Sequence, residues 1–211
     1  FRVSQIRPAG ESDNYNLADL VEASDIGGEQ LYAMIMKRVN AFQNEELKQI
    51  VTKILTDKKD KLISYPAALR LHHAMVGGLL YHTMSIVRMA EEICKIYPNV
   101  NRDLLLSGVI LHETFFTQIF KSRQIKRLFS WELETGKTGL AKGYTIEGEL
   151  IGHLVKGAMY VNDAAKELNI DSPVVALLEH MILSHHGIPD YGAAVRPKFL
   201  EAEILSDLDA L

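Results

Sequence analysis

Eight histidines and two acids dominate a search of this 211-residue sequence for chemistry. The histidines are His72, His73, His82, His112, His153, His180, His185 and His186. His112 ends the apolar run from Leu104 to Leu111 and is followed at once by Glu113, while Asp209 lies close to the last residue. Imidazole and carboxylate spread over several helices can converge on divalent ions, because each helix aims one ligand while its apolar stripe fixes that aim. Any one of these histidines alone reads as a hydrogen-bonded core or surface residue; the ordered set reads as a metal centre. Nitrogen and oxygen donors suit Mn2+, Fe2+ or Zn2+, one or two per chain, without choosing among them.

The elements that must position these residues are helical. From Glu29 the apolar residues recur at helical spacing: Leu31, Ile35, Val39 and Phe42, then Leu47, Ile50, Val51, Ile54 and Leu55 after Asn44, a fitting cap. Pro66 fits the start of another segment, and a helix over 79–96 must stop before Pro98. Asn101 caps a helix over 102–111, and Thr145 caps one from Ile146 to about Leu168. Ser172-Pro173 starts a helix reaching about Ser184, and a last helix fits 198–211. His82 then lies mid-helix, His153 on the helix after Thr145, His185-His186 at a helix end and Asp209 on the last helix. Strand signals nearly vanish after residue 25, so the fold class is all-α. Residues 1–24, with Val3 and Ile6 beside Pro8 and Gly10, read as a last strand and linker.

Composition narrows the setting. The length exceeds the roughly 150-residue expectation for one domain but falls short of two. A net charge of −4 excludes a globally basic nucleic-acid coat but not a local basic path. The single cysteine, Cys94, cannot form an internal bridge; it reads as a core thiol in a reducing, cytoplasmic compartment. The longest uncharged stretch, Leu71 to Val87, is too short to span a membrane and holds three histidines, so no membrane segment is expected. A chain beginning at Phe1 without an initiator Met or a leader pattern reads as a fragment.

The histidine and acid pattern resembles the HD superfamily of metal-dependent phosphohydrolases, and within it the YhaM-type 3′-to-5′ exoribonucleases. Five blocks carry the resemblance: HHAMVGGLLYHT (72–83), YPNVNRDLLLSGVILH (97–112), YTIEGELIGH (144–153), HMILSHHG (180–187) and RPKFLEAEILSDLD (196–209). The resemblance implies an HD-type helical bundle over 29–211, preceded in 1–28 by the remnant of an OB-fold strand and linker. It implies that His82, His112, Glu113 and Asp209 hold one metal and His153, His185 and His186 a second, with Glu113 bridging. Glu113, His153 and His185 are then the catalytic set; His73 aligns with a family histidine and, with Arg123 and Lys126 of the segment that departs from the family, is the candidate substrate-binding set. The implied activity is metal-dependent phosphodiester hydrolysis at the 3′ ends of single-stranded RNA or DNA. No membrane partner is implied, and homo-oligomer formation stays open. His180 reads as packing or support for the ligands.

The chain departs from that family in places. The family's His-Asp is His112-Glu113 here, its following Gly-Lys is replaced by Thr114-Phe115-Phe116-Thr117, and 114–143 is an atypical insertion. Glu carries one more methylene than Asp and moves the carboxylate by about 1.5 Å, so Glu113→Asp is expected to improve a bridging ligand. Lys121, Arg123, Lys126 and Arg127, with Phe120 and Phe129 nearby, could grip phosphates and bases at helical spacing, although a solvated helix face is the plainer reading. Gly77-Gly78 lacks a phosphate-cradle pattern and reads as close helix packing, and Met34, Met36, Met75, Met84 and Met89 read as core. The alternative to a hydrolase is an impaired HD module that binds nucleic acid or a protein partner. A cyclic-dinucleotide phosphodiesterase fits less well, because HHGIPDYG (185–192) lacks that branch's longer signature.

Overall fold

Apolar residues at helical spacing build a bundle around one almost fully buried helix. The computed structural model describes residues 25–65, 77–114, 120–122, 141–144 and 146–211. Helix α1 (Gly28–Asn40) buries Leu31, Ile35 and Val39, and α2 (Glu45–Leu62) buries Leu47, Ile50, Val51, Ile54, Leu55 and Leu62. Asn44 caps α2, its Oδ1 accepting the Leu47 N–H at 3.0 Å. The turn between them is held from the core side, where buried Asp103 accepts the N–H groups of Gln43 (2.6 Å) and Asn44 (2.9 Å) through Oδ2.

Helix α3 (Gly78–Ile96) follows Gly77, whose φ of +75° is left-handed. That conformation suits glycine because it has no Cβ, which explains the first glycine of the pair by backbone geometry rather than packing. Helix α4 (Arg102–Leu111) is capped by Asn101, whose Oδ1 accepts the Leu104 N–H at 3.1 Å. Its residues from Asp103 to Leu111 are all buried, which makes α4 the central rod. At Gly108 a Cβ would lie 2.3 Å from Met181 Cε, so the missing side chain sets the depth at which the neighbouring helix lies against α4.

Two short strands, β1 (Phe120–Ser122) and β2 (Ala141–Tyr144), pair antiparallel within the insertion, with Phe120 opposite Tyr144 and an irregularity between Lys121 and Ser122. Helical spacing therefore does not run through Phe120 and Lys121: strand pairing, not an i to i−4 ladder, satisfies the backbone there. This ribbon is an accessory to an all-α body.

The helix expected over 146–168 is broken. A short α5 (Ile146–Leu150) precedes α6 (Gly152–Glu167), with Ile151 at the joint and Gly152 at φ +76°. Helix α7 (Pro173–Ser184) starts at its proline, but the Ser172 side chain does not cap it. Its Oγ instead donates to Glu46 Oε2 at 2.6 Å, tying the start of α7 to α2. A 3-10 turn (Pro189–Tyr191) leads to α8 (Leu200–Asp209), which is shorter at both ends than the expected 198–211.

Helices α6 and α7 pack on each other, α3 packs on α4, and α8 lies against α3, α4 and α7. Met84 is buried, and Met34, Met36 and Met89 pack against the core. Cys94 is half-buried, and burial pushes its thiol above the usual value, as expected for an inert packing residue. Among the described residues no helix is long and apolar enough to cross a membrane. The strand-and-linker reading of 1–24 and the expectations for Pro66, Met75, Phe129 and the Thr145 cap fall outside the described residues.

Candidate metal centre

Two groups of ligating side chains meet where α3, α4, α6, α7 and α8 converge. His82 from α3, His112 at the end of α4 and Asp209 at the end of α8 form one, and Glu113, His153, His185 and His186 form the other; within each group the ligating atoms lie within 4.8 Å of one another. In the first, Asp209 Oδ1 is 3.2 Å from His112 Nε2 and 3.3 Å from His82 Nε2. In the second, Glu113 Oε1 is 3.5 Å from His185 Nε2 and 3.7 Å from His153 Nε2. The groups abut: the His112 and His185 rings are 5.1 Å apart between centroids. Glu113 lies in the group of His153, His185 and His186, one of the two sets between which a bridging acid is expected.

Local structure explains this convergence. His112 and His185 each stand at a helix C-cap, and each Nδ1 lies 2.7 Å from the carbonyl three residues back, Val109 and Ile182 respectively. A carbonyl only accepts, so both Nδ1 atoms are placed as donors and both Nε2 atoms face the acids. This shared i−3 anchor was missed by the sequence reading; its signal is an apolar helical run closed by histidine. His153 owes its place to the α5–α6 break, which puts it second in its helix, with its ring 5.0 Å from that of His186.

The electrostatics differ between the two acids. Burial, then the charge of Asp209, raises Glu113 well above the usual carboxylate range. Burial alone would also raise Asp209, but His112 and His82 outweigh it and hold that carboxyl well below the usual value. Burial, with neighbouring imidazoles, lowers His153 to about 3 and His185 well below its ordinary value; His186 is lowered too, burial again leading. These imidazoles are neutral at pH 7, the form that ligates metal.

The donor set fits cations. Glu113 Oε2, His185 Nε2 and His186 Nδ1 are buried with no hydrogen-bond partner among the described residues. Glu113 Oε1 faces the nitrogen of the depressed His185 imidazole without a hydrogen bond, an arrangement that an intervening cation satisfies. The N···O separations of 3.2 to 3.7 Å bracket the roughly 3.4 Å edge of a tetrahedron with bonds of about 2.1 Å.

His180 lies outside both groups. Its Nε2 accepts the Lys198 N–H at 3.1 Å and its ring lies 5.2 Å from that of Phe199, just before α8. His73, Arg123 and Lys126 lie outside the described residues.

Comparison with known proteins bears on the family. The HD domain family model matches residues 79–211. Over all 211 residues the chain is 34% identical to the 3′-5′ exoribonuclease YhaM of Bacillus licheniformis and to that of Bacillus subtilis. It is 35% identical to the 3′-5′ exoribonuclease YhaM of Listeria welshimeri. In each case it spans 62% of the relative's length. No solved structure matches the chain. With His82, His112, His153, His185, His186 and Asp209 all inside the matched segment, the chain belongs to the HD domain family.

Proposed function

We propose that this chain is the hydrolytic part of a metal-dependent 3′-to-5′ exonuclease acting on single-stranded RNA ends, with DNA ends as a secondary substrate. The observation that carries the proposal is the pair of abutting ligand groups, joined through His112 and His185 at 5.1 Å between ring centroids. The relatives called 3′-5′ exoribonuclease supply the substrate class. His82, His112 and Asp209 would hold one divalent ion, and Glu113, His153, His185 and His186 another. Mn2+, Fe2+ and Zn2+ all suit these donors. Bound there, divalent ions supply charge to the phosphodiester and lower the pKa of water.

The chain's own residues prepare that chemistry. The carbonyls of Val109 and Ile182 hold the His112 and His185 rings in one tautomer, so that neither must turn when the site fills. The buried residues of α4 and α7 put packed core behind His112 and His185. Glu113 is seated against His153 and His185 rather than displaced, which weighs against an impaired module that only binds. In the same reading His73, Arg123 and Lys126 contact substrate, the HD unit begins near residue 29, and the lone Cys94 suits a cytoplasmic setting.

The test is hydrolysis of a labelled single-stranded RNA with added Mn2+ by the parent, His185→Ala and His186→Ala proteins. Each variant should lose at least a hundredfold in rate with an unchanged circular dichroism spectrum. Full activity in both variants, or no hydrolysis by a parent chain carrying two ions, would overturn the proposal.

A further inference from the structure

The ligand His186 is followed by a loop whose geometry the metal does not require. Gly187 N–H donates to Ser184 O at 2.8 Å, Tyr191 N–H to Ile188 O at 3.0 Å, Gly192 N–H to Pro189 O at 2.9 Å and Ala194 N–H back to Leu183 O at 3.0 Å. The loop is thus closed on the end of α7 by its own backbone. It is pinned from beneath as well: a Cβ on Gly187, at φ +78°, would sit 2.8 Å from Ser206 Oγ of α8. The Tyr191 backbone lies against the His186 imidazole, and a Cβ on Gly192, at φ +99°, would lie 3.4 Å from His186 Nδ1.

This fixed loop carries one large side chain outward. The Tyr191 ring is 76% exposed, whereas most aromatic rings of a folded chain bury much of their area. Its backbone contact with His186 puts the residue next to the ligand group containing His153 and His186. A rigid, solvent-facing aromatic ring beside a phosphate site is what sequence-tolerant binding of single strands uses, because every base has a π-face.

We propose that Tyr191 is the platform on which the base of the 3′-terminal nucleotide stacks, placing the adjoining phosphodiester over the ligand groups. This rests on the exonuclease reading and adds its base subsite. Tyr191 is a positioning residue: its ring would contact the base and not the reacting atoms.

The experiment uses two readouts on the metal-loaded chain. In the first, a short single-stranded RNA carries 2-aminopurine at its 3′ end, and its fluorescence is titrated with parent, Tyr191→Ala and Tyr191→Phe proteins. Stacking should quench the probe with the parent and Tyr191→Phe, and Tyr191→Ala should bind about tenfold more weakly with the quench lost. In the second, KM and kcat are measured on RNA with an intact and with an abasic 3′-terminal nucleotide. Tyr191→Ala should raise KM about tenfold on the intact end and leave the abasic end unchanged. Equal quenching by parent and Tyr191→Ala, or equal loss on both ends, overturns the proposal. Quenching that depends on Tyr191 without any hydrolysis would keep the base subsite and reject the exonuclease reading instead.

Discussion

Replacing Glu113 by glutamine should reverse sign with metal. Without a cation, the buried Glu113 Oε1 faces lone-pair nitrogen at 3.5 Å on His185, and Oε2 has no hydrogen-bond partner. Glu113→Gln keeps the length and offers an amide N–H to that nitrogen, gaining one hydrogen bond and removing a buried acid. The expected gain in metal-free stability is about 1 to 2 kcal/mol, or about 2 to 8 °C in melting temperature at this chain length. Because Glu113 is raised in the fold, the parent loses stability as pH climbs above about 4.5, so the advantage of Glu113→Gln should be larger at pH 8 than at pH 5. With metal the order inverts. At a hundred times its dissociation constant an ion stabilises the parent by about 2.7 kcal/mol, roughly 5 to 10 °C, and the variant lacks the charge that holds the second ion. Melting curves in EDTA and in Mn2+ test both halves. A variant that melts below the parent in EDTA, or that gains as much from Mn2+ as the parent does, refutes the reasoning.

Two further outcomes follow from particular contacts. Burial holds His153 at about 3 and His185 well below its ordinary value, so their contribution is complete above the unfolded value of about 6.5 and is lost as pH falls from there. Each neutral imidazole then removes up to about 1.4 kcal/mol per pH unit; Glu113 acts in the opposite sense but is one group against two. The EDTA-treated chain should show a lower urea midpoint at pH 5 than at pH 7, and an unchanged midpoint would contradict the burial argument. At Gly28 a Cβ would lie 1.9 Å from the Ile63 carbonyl oxygen and 2.9 Å from its Cα, so Gly28→Ala must push the start of α1 off the end of α2. A loss of about 2 kcal/mol with unchanged metal content is expected, and a variant melting like the parent would show that this junction yields freely.

Local chemistry was legible wherever it is settled within a few residues. The Asn44 and Asn101 caps, the start of α7 at Pro173 and the stop of α3 before Pro98 each depend on a side chain and its own neighbours, and all stand as read. Where a distant partner competes, the reading failed. Ser172 has the composition of a cap, yet Glu46, 126 residues away in sequence, takes its hydroxyl. Likewise, the apolar period from Ile146 to Leu168 gives no sign of the break at Ile151, because a glycine near a helix start fits either a continuous helix or a left-handed turn.

The same division runs through the metal centre. Imidazole and carboxylate at helix ends, in the order His82, His112-Glu113, His153, His185-His186 and Asp209, identify the ligand types and the family from sequence alone, because donor chemistry belongs to the side chain. Which of these side chains lie together was decided by packing. The buried α4, with α7 seated against Gly108, brings His112 to His185. The break before α6 places His153 beside His186, and the packing of α8 on α3 and α4 brings Asp209 beside His82 and His112. Glu113 joins His153 and His185 for the same reason: a side chain's reach is a local property, but what it reaches depends on where five helices cross.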